Sequence, residues 1–353
     1  MKKILIILFL VIVLVGSVGC NNDEDTNQQE PNNNQSEEEQ KDNEENNNND
    51  KDKSSAITSP LSGINTEESK INRRPVAIMF DNHKNARWQS GLSEAEIAYE
   101  YLVEGKITRY MGIYLINDPE VIGPLRSARP YYLSSLLEYD AIYAHAGGSP
   151  QAKEEIRELG IADVDAIGAA GSVFYRNNDV GKKAPHNLYT SMESIREYAE
   201  NKDFNKEAEF NSFSFNKEGK DIDGDVAKDI SIHYDSDNIT SYKYDEELSL
   251  YMRYKDGEKH LDEYDNTILT STNIIIQEAK TQVLDDQGRL QIDIVGKGKG
   301  TYITRGKYIN ITWEKTSRES KTKYYDEDVK EIILNPGITW IQVTPINPKV
   351  EIS

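Results

Sequence analysis

Between Cys20 and Ala56 the chain carries no Leu, Ile, Val, Met, Phe, Tyr or Trp. A segment with nothing apolar to bury cannot offset its conformational entropy, so this tract is predicted to stay disordered. It reads NNDEDTNQQEPNNNQSEEEQKDNEENNNNDKDKSS, with 12 acids from Asp23 to Asp52 against Lys41, Lys51 and Lys53. We place the disordered tether at 21–60 and everything that folds cooperatively after it. A coil of about 40 residues spans roughly 35 Å on average and about 130 Å when stretched. The tether therefore supplies much of the formal net charge of −20. Such a balance excludes nucleic acid as a partner.

What precedes the tether is an address. Lys2 and Lys3 form a positive start, Ile4 to Val15 is an unbroken apolar run, and GSVGC ends on Cys20. The run is short of the roughly 20 apolar residues that span a bilayer, and it fits the apolar region of a secretory signal. Residues 1–20 resemble a bacterial lipoprotein signal, with Ser17 at the position where Leu is usual. The resemblance implies that Cys20 is diacylated and becomes the mature N-terminus. Each buried CH2 of an acyl chain contributes about 0.8 kcal/mol, so two chains hold a protein stably on a membrane. Cys20 is also the sole cysteine, which rules out an intramolecular disulfide. The expected location is the extracellular face of the cell membrane, with the lipid anchor as the membrane contact.

From about Arg73 the pattern becomes globular, and it changes character once. The first part, about 68–215, mixes buried strand-like runs, VAIMF (76–80) and DAIYAH (140–145), with two helical stretches. SPQAKEEIREL (149–159) has Ser149 as its cap and Pro150 at its first helical position, and SMESIREYAE (191–200) starts at Ser191 with Glu193 and Ser194 following. The second part, 228–353, is a series of β-rich runs about ten residues apart, among them ISIHYD, LSLYMRY, NIIIQEA, YINITWE and TWIQVTP. The fold class expected is α+β in two domains: a mixed α/β N-terminal domain, then an antiparallel β-rich C-terminal domain. KDIDGDVAKD (220–229) fails as a calcium loop. With Gly224 as sixth residue, the first and twelfth positions are Gly219 and Ile230 rather than acids.

The candidate site residues come from the first part. EIAYEYLVEGKITRYMGIYLI (96–116) would stack Glu96, Glu100 and Glu104 on one face as a helix, a repulsive ladder. Its Ile, Tyr, Val and Thr favour a hairpin turning at Gly105-Lys106. That register sets Leu102 opposite Arg109 and Glu100 opposite Met111, with Glu100, Glu104 and Arg109 on one face. This is either a salt-bridge cluster or a charged site in which glutamates orient an arginine. GPLRSARPYYL (123–133) sends Arg126 and Arg129 toward a helix start at about Tyr131. Guanidinium forks there suit carboxylate, phosphate or sulfate, or each could pair with a core carboxylate such as Asp81 or Glu100. YAHAGGSP (143–150) sets His145 at a strand end before a glycine pair. KKAPHNLYTS (182–191) offers His186 and Asn187, and MFDNHKNARWQSGLS (79–93) sets Asp81, Asn82 and His83 after the first strand. Loops after strand ends are where α/β sites form.

These blocks, in order, are what the chain shares with the YerB-like lipoproteins of Gram-positive bacteria, whose two halves are known as domains of unknown function. RRPVAIMFDNHKNARWQSGLS, IGPLRSARPYYL, YDAIYAHAGGSP, APHNLYTS and NPGITWIQVTP carry the resemblance, which covers about 68–350. It implies a membrane-anchored extracellular lipoprotein, and it sets Asn82, Glu104, Arg109, Arg126, Arg129, His145, Pro185, His186 and Asn187 at family motif positions. Lys106 stands where a second Gly is common, and Trp88 where Pro is usual. The family supplies no reaction.

The leading expectation is a module that binds an anionic or carbohydrate envelope component through Arg109, Arg126, Arg129, His145 and Asn82. The alternatives are a glycan hydrolase or transglycosylase-like enzyme using Glu100 or Glu104, with Asp81, His186 and Asn187 as further acid, base or orienting groups, and a scaffold for another envelope protein. No nucleophile elbow, HExxH or metal-ligand cluster stands in the sequence, so neither metal nor cofactor is expected.

Overall fold

The computed structural model describes residues 57–168, 171–205, 208, 210 and 213–353. Cys20, the signal and nearly all of the tether lie outside the described residues. Strand β1 (Val76–Asp81) is buried at every position, as are β2 (Ile97–Leu102) and β3 (Thr108–Tyr114). Strands that read as continuous apolar runs occupy sheet centres covered on both faces. These three form the middle of an 11-stranded sheet, which continues from β1 through β4 (Ile142–His145) to β5 (Asp163–Asp165). β4 is parallel to β1, and β5 is parallel to β4.

On the other side of β2 the sheet is finished by the second part of the chain. Thr339–Thr344 pairs parallel with β2 and, on its far edge, parallel with Asn273–Glu278. The expected antiparallel C-terminal domain is therefore only partly antiparallel. The run TWIQVT is buried at every position, so it serves as a central strand with two neighbours. A separate six-stranded sheet, with Asn238–Asp245 and Leu250–Lys255 in it, is antiparallel throughout. The structure is thus a strand-rich α+β arrangement of two sequence domains that share one sheet, and the described residues fall in one compact unit.

Helices close the layers. Besides the short α1 (Glu68–Ile71), they are α2 (Pro130–Leu136), α3 (Pro150–Glu158) and α4 (Met192–Asn201). Ser149 Oγ accepts from the Ala152 N–H at the start of α3, and Ser191 Oγ accepts from the Ser194 N–H at the start of α4. Each satisfies one of the free amides of a first turn. Tyr131, Tyr132, Leu133 and Leu136 of α2 share a core with Met79, Tyr101, Met111 and Tyr143 on one sheet face. Met192 and Ile195 of α4 share a second core with Ile78, Tyr110, Tyr242 and Trp340 on the other.

Two expectations are corrected here. The tether expected to run to 60 ends earlier, because Ser59 is buried. Glu96 is the reason: its Oε1 accepts from the hydroxyls of Ser59 and Ser62, and its Oε2 from the amides of Leu115 and Ile116. The hairpin is also one residue out of the expected register. Tyr101 faces Arg109, and Glu100 faces Tyr110. The loop holds three residues, Glu104–Lys106, closed by the Val103 N–H on the Ile107 carbonyl at 2.8 Å, with Gly105 and Lys106 at φ 71° and 62°. A slip of one residue exchanges faces, so Glu100 and Arg109 lie on opposite sides of the sheet. Both faces are buried, so hydrophobic alternation had no grip on the register.

Candidate functional site

The parallel strands β1, β4 and β5 deliver Asp81, His145 and Asp165 to the same end of the sheet. The segment 122–129 straps across that end. The Arg126 N–H donates to the Met79 carbonyl at 2.9 Å, the Ala146 N–H to the Arg126 carbonyl at 3.0 Å, and the Ala128 N–H to the Gly147 carbonyl at 2.8 Å. Gly123 has φ 153°, and a Cβ there would sit 2.8 Å from the Leu188 carbonyl oxygen. Only glycine lets the strap pass so close to the 182–191 loop.

Asp81, 1% exposed, is the centre of one charged cluster. Its Oδ2 lies 2.8 Å from His186 Nδ1 and 3.4 Å from Arg126 Nε, and its Oδ1 accepts from the His83 amide at 3.0 Å. The His83 and His186 rings stack with centroids 4.6 Å apart and 12° between planes. Burial and the neighbouring His186 push the His83 imidazole below its ordinary pKa, against the pull of Asp81. Asn82 is a strut: its Nδ2 donates to Thr108 Oγ1 at 2.7 Å, and its Oδ1 accepts from Arg87 Nε at 3.0 Å. Beside this cluster opens a cleft of about 530 Å³ lined by Asn85, Arg87, Lys182, Lys183, His186 and Glu263. Arg87 is paired with Asp256 at 2.6 Å and Lys182 with Glu263 at 2.6 Å. Lys183 is exposed and makes no ion pair among the described residues.

Arg109 and Arg129 go elsewhere. Both reach Glu104, Arg129 through two nitrogens at 2.6 and 3.0 Å and Arg109 at 3.8 Å. Burial would raise the Glu104 carboxyl, but the bonds and charge of Arg129 outweigh it and hold the group below its ordinary range. Burial and Arg129 lower the Arg109 pKa, Glu104 opposing them, and Arg109 also donates to the Ser127 carbonyl at 2.9 Å. His145 is buried with both ring nitrogens occupied, Nδ1 at 2.8 Å from the Gly147 carbonyl and Nε2 at 2.7 Å from Asp163. Asn187 is buried and holds its own loop through Asn177, Asn178 and Arg176. The three arginines therefore split between two carboxylates, and the expected single cluster around His145 does not form.

Glu100 faces the six-stranded sheet and is 0% exposed. Arg253 Nη2 reaches its Oε2 at 2.6 Å, Lys255 Nζ its Oε1 at 3.2 Å, and Thr108 and Thr240 donate as well. The Arg253 guanidinium lies 3.9 Å over the Trp340 ring. Burial alone would raise the carboxyl, and Lys255 and Arg253 reverse this and hold it at about 2.

Comparison with known proteins follows the same division. Residues 61–205 match the N-terminal domain, and residues 230–341 the C-terminal domain, of a protein family of unknown function, DUF3048. A protein named "Putative lipoprotein YerB", from Bacillus subtilis (strain 168), is 35% identical over 298 residues, 83% of this chain and 88% of that protein. The chain belongs to the YerB-like family. The crystal structure of YerB from Bacillus subtilis superposes with a TM-score of 0.76 at 33% identity, covering 84% of this chain and 99% of that one. The cleft draws on both family regions, since Arg87, Lys182 and His186 lie in the first and Glu263 in the second.

Sequence reasoning passed over the dibasic pair Lys182-Lys183, although it stands directly before the APHN block. Arg87 was also legible, in the loop after the first strand. Glu263 was not, because nothing local ties a loop of the β-rich half to this cleft.

Proposed function

We propose that this chain is a lipid-anchored protein of the extracellular membrane face that binds an anionic envelope component in the cleft beside Asp81 and His186. The anchoring part rests on the placement of Cys20 behind a short apolar run and on the lipoprotein name of the Bacillus subtilis relative. The binding part rests on one observation above the rest. In a chain of net charge −20, this concavity gathers Arg87, Lys182, Lys183 and His186 around Glu263, the one carboxylate lining it among the described residues. Arg126, at 29% side-chain exposure, sets a guanidinium beside Asp81 next to the cleft, its Nε 3.4 Å from Asp81 Oδ2. Guanidinium and ammonium groups at the mouth of a concave, partly dry site favour phosphate or carboxylate oxygens.

Hydrolysis through glutamates is disfavoured. A general acid must meet its substrate and hold a proton near the working pH. Glu100 is sealed and ionised, and Glu104 is held in its ionised form by Arg129.

The test incubates the protein with purified wall fragments and measures retention and fragment release separately. Retention that inorganic phosphate competes away, without release, is expected. Retention unchanged in Arg126→Ala/Lys183→Ala would reject the cleft. For the anchor, Cys20→Ala is expected to abolish incorporation of labelled lipid and to free the protein from the membrane fraction. Continued labelling would reject Cys20 as the lipidated residue.

A further inference from the structure

Tyr175 is 46% exposed, yet its position is fixed. It lies on β6 (Tyr175–Arg176), which pairs with β7 (Leu188–Tyr189) so that Tyr175 faces Tyr189. The two rings are 6.2 Å apart with 32° between planes. Tyr189 is buried, and its hydroxyl donates to Glu263 and lies 3.0 Å from Lys182 Nζ, two groups that line the cleft. The same two-stranded ribbon is tied to the loop of Lys183 and His186. Arg176 Nη1 donates to the Pro185 carbonyl at 3.1 Å and to Asn187 Oδ1 at 3.2 Å. An aromatic face is thus presented to solvent one ring away from the cationic cleft, on the element that holds the cleft's own loop.

We propose that Tyr175 is a sugar-stacking residue of this site, and that the ligand is a glycan whose sugars carry anionic groups. The inference rests on the cleft reading above and specifies its ligand. The negatively charged face of an aromatic ring attracts the C–H groups of a pyranose ring. A ring already held in place loses little conformational freedom on binding. The surroundings favour a sugar over a lipid. Arg176 and Asn178, close to Tyr175 in the chain, are exposed and polar, and they present no apolar surface for acyl chains.

The experiment is calorimetry on the full-length chain in detergent, with glucose 1-phosphate, inorganic phosphate and glucose as probes. Glucose 1-phosphate should bind about tenfold tighter than inorganic phosphate. Tyr175→Ala should erase that difference while leaving phosphate binding in place, and Tyr175→Phe should preserve it. An unchanged ratio in Tyr175→Ala overturns the stacking role. Loss of phosphate binding in the same variant overturns it too, because the ring would then be structural. If neither phosphate nor the sugar phosphate binds the native protein, the cleft reading fails and this inference falls with it.

Discussion

Asp81 and Glu100 stand on the two strands that flank β3 in one sheet, and each meets two cationic or imidazole groups, yet they do opposite things. Asp81 points to the face and end where strands β1, β4 and β5 open, with His186 and Arg126 beside it at the surface. Glu100 points to the other face, where Arg253 and Lys255 descend from the six-stranded sheet and no atom of the three side chains sees solvent. A carboxylate between two basic side chains is the same ingredient list in both places. What differs is whether a second sheet covers it. Covered, the cluster fastens two layers together. Uncovered, it leaves Arg126 and His186 partly open to solvent.

The largest expected effect tests the covered cluster. Glu100→Ala strands two buried cations, and breaking a buried pair in this way costs about 3–5 kcal/mol. The urea midpoint reads the loss, and a change within error would mean that the cluster is not the fastening described.

A pH scan sharpens the same side. The folded Glu100 carboxyl is depressed from 4.5 to about 2, so the folded state binds fewer protons than the unfolded state. Its contribution is complete above about pH 4.5 and disappears as pH falls toward about 2. Glu100→Gln should remove that part of the acid slope. An identical slope in both proteins would assign acid unfolding to other carboxylates.

Arg129→Ala falls between the extremes. It removes two charge-assisted bonds to a partly exposed Glu104, which Arg109 still faces, so about 1.5 kcal/mol is expected from the shift of the denaturation midpoint. A loss as large as that of Glu100→Ala would show that the strap itself had come loose.

The smallest stability effect belongs to the open cluster. Arg126→Ala should stay within about 0.5 kcal/mol of the parent, as surface changes usually do, while phosphate binding weakens by about tenfold or more. The comparison breaks if stability falls sharply or if phosphate affinity holds.

Much of the architecture could be read locally. Ser149-Pro150 and Ser191 announce helix starts because capping is a matter of three or four successive residues. VAIMFD announces a central strand because both of its faces are apolar. That same double burial hid the hairpin register. With both faces dry, nothing in IAYEYL said which way Glu100 points, and the one-residue slip that separates it from Arg109 came from a three-residue loop. Arg253 and Lys255 lie more than 150 residues from Glu100, Asp256 lies 169 from Arg87, and Glu263 lies 81 from Lys182. No spacing rule links them.

By itself the sequence determined most of the local elements. The tract from Cys20 to Ala56 has no large apolar side chain to bury, the run before it is shorter than a bilayer span, and the helix caps sit where local chemistry requires them. Only the tertiary structure decided which charged groups are sealed and which are open. That choice depends on a β-rich second half laying one sheet over a single face of the other and continuing that other sheet beyond β2 with several strands of its own. Burial is a property of the layers that meet, and a residue's neighbours in sequence do not contain it.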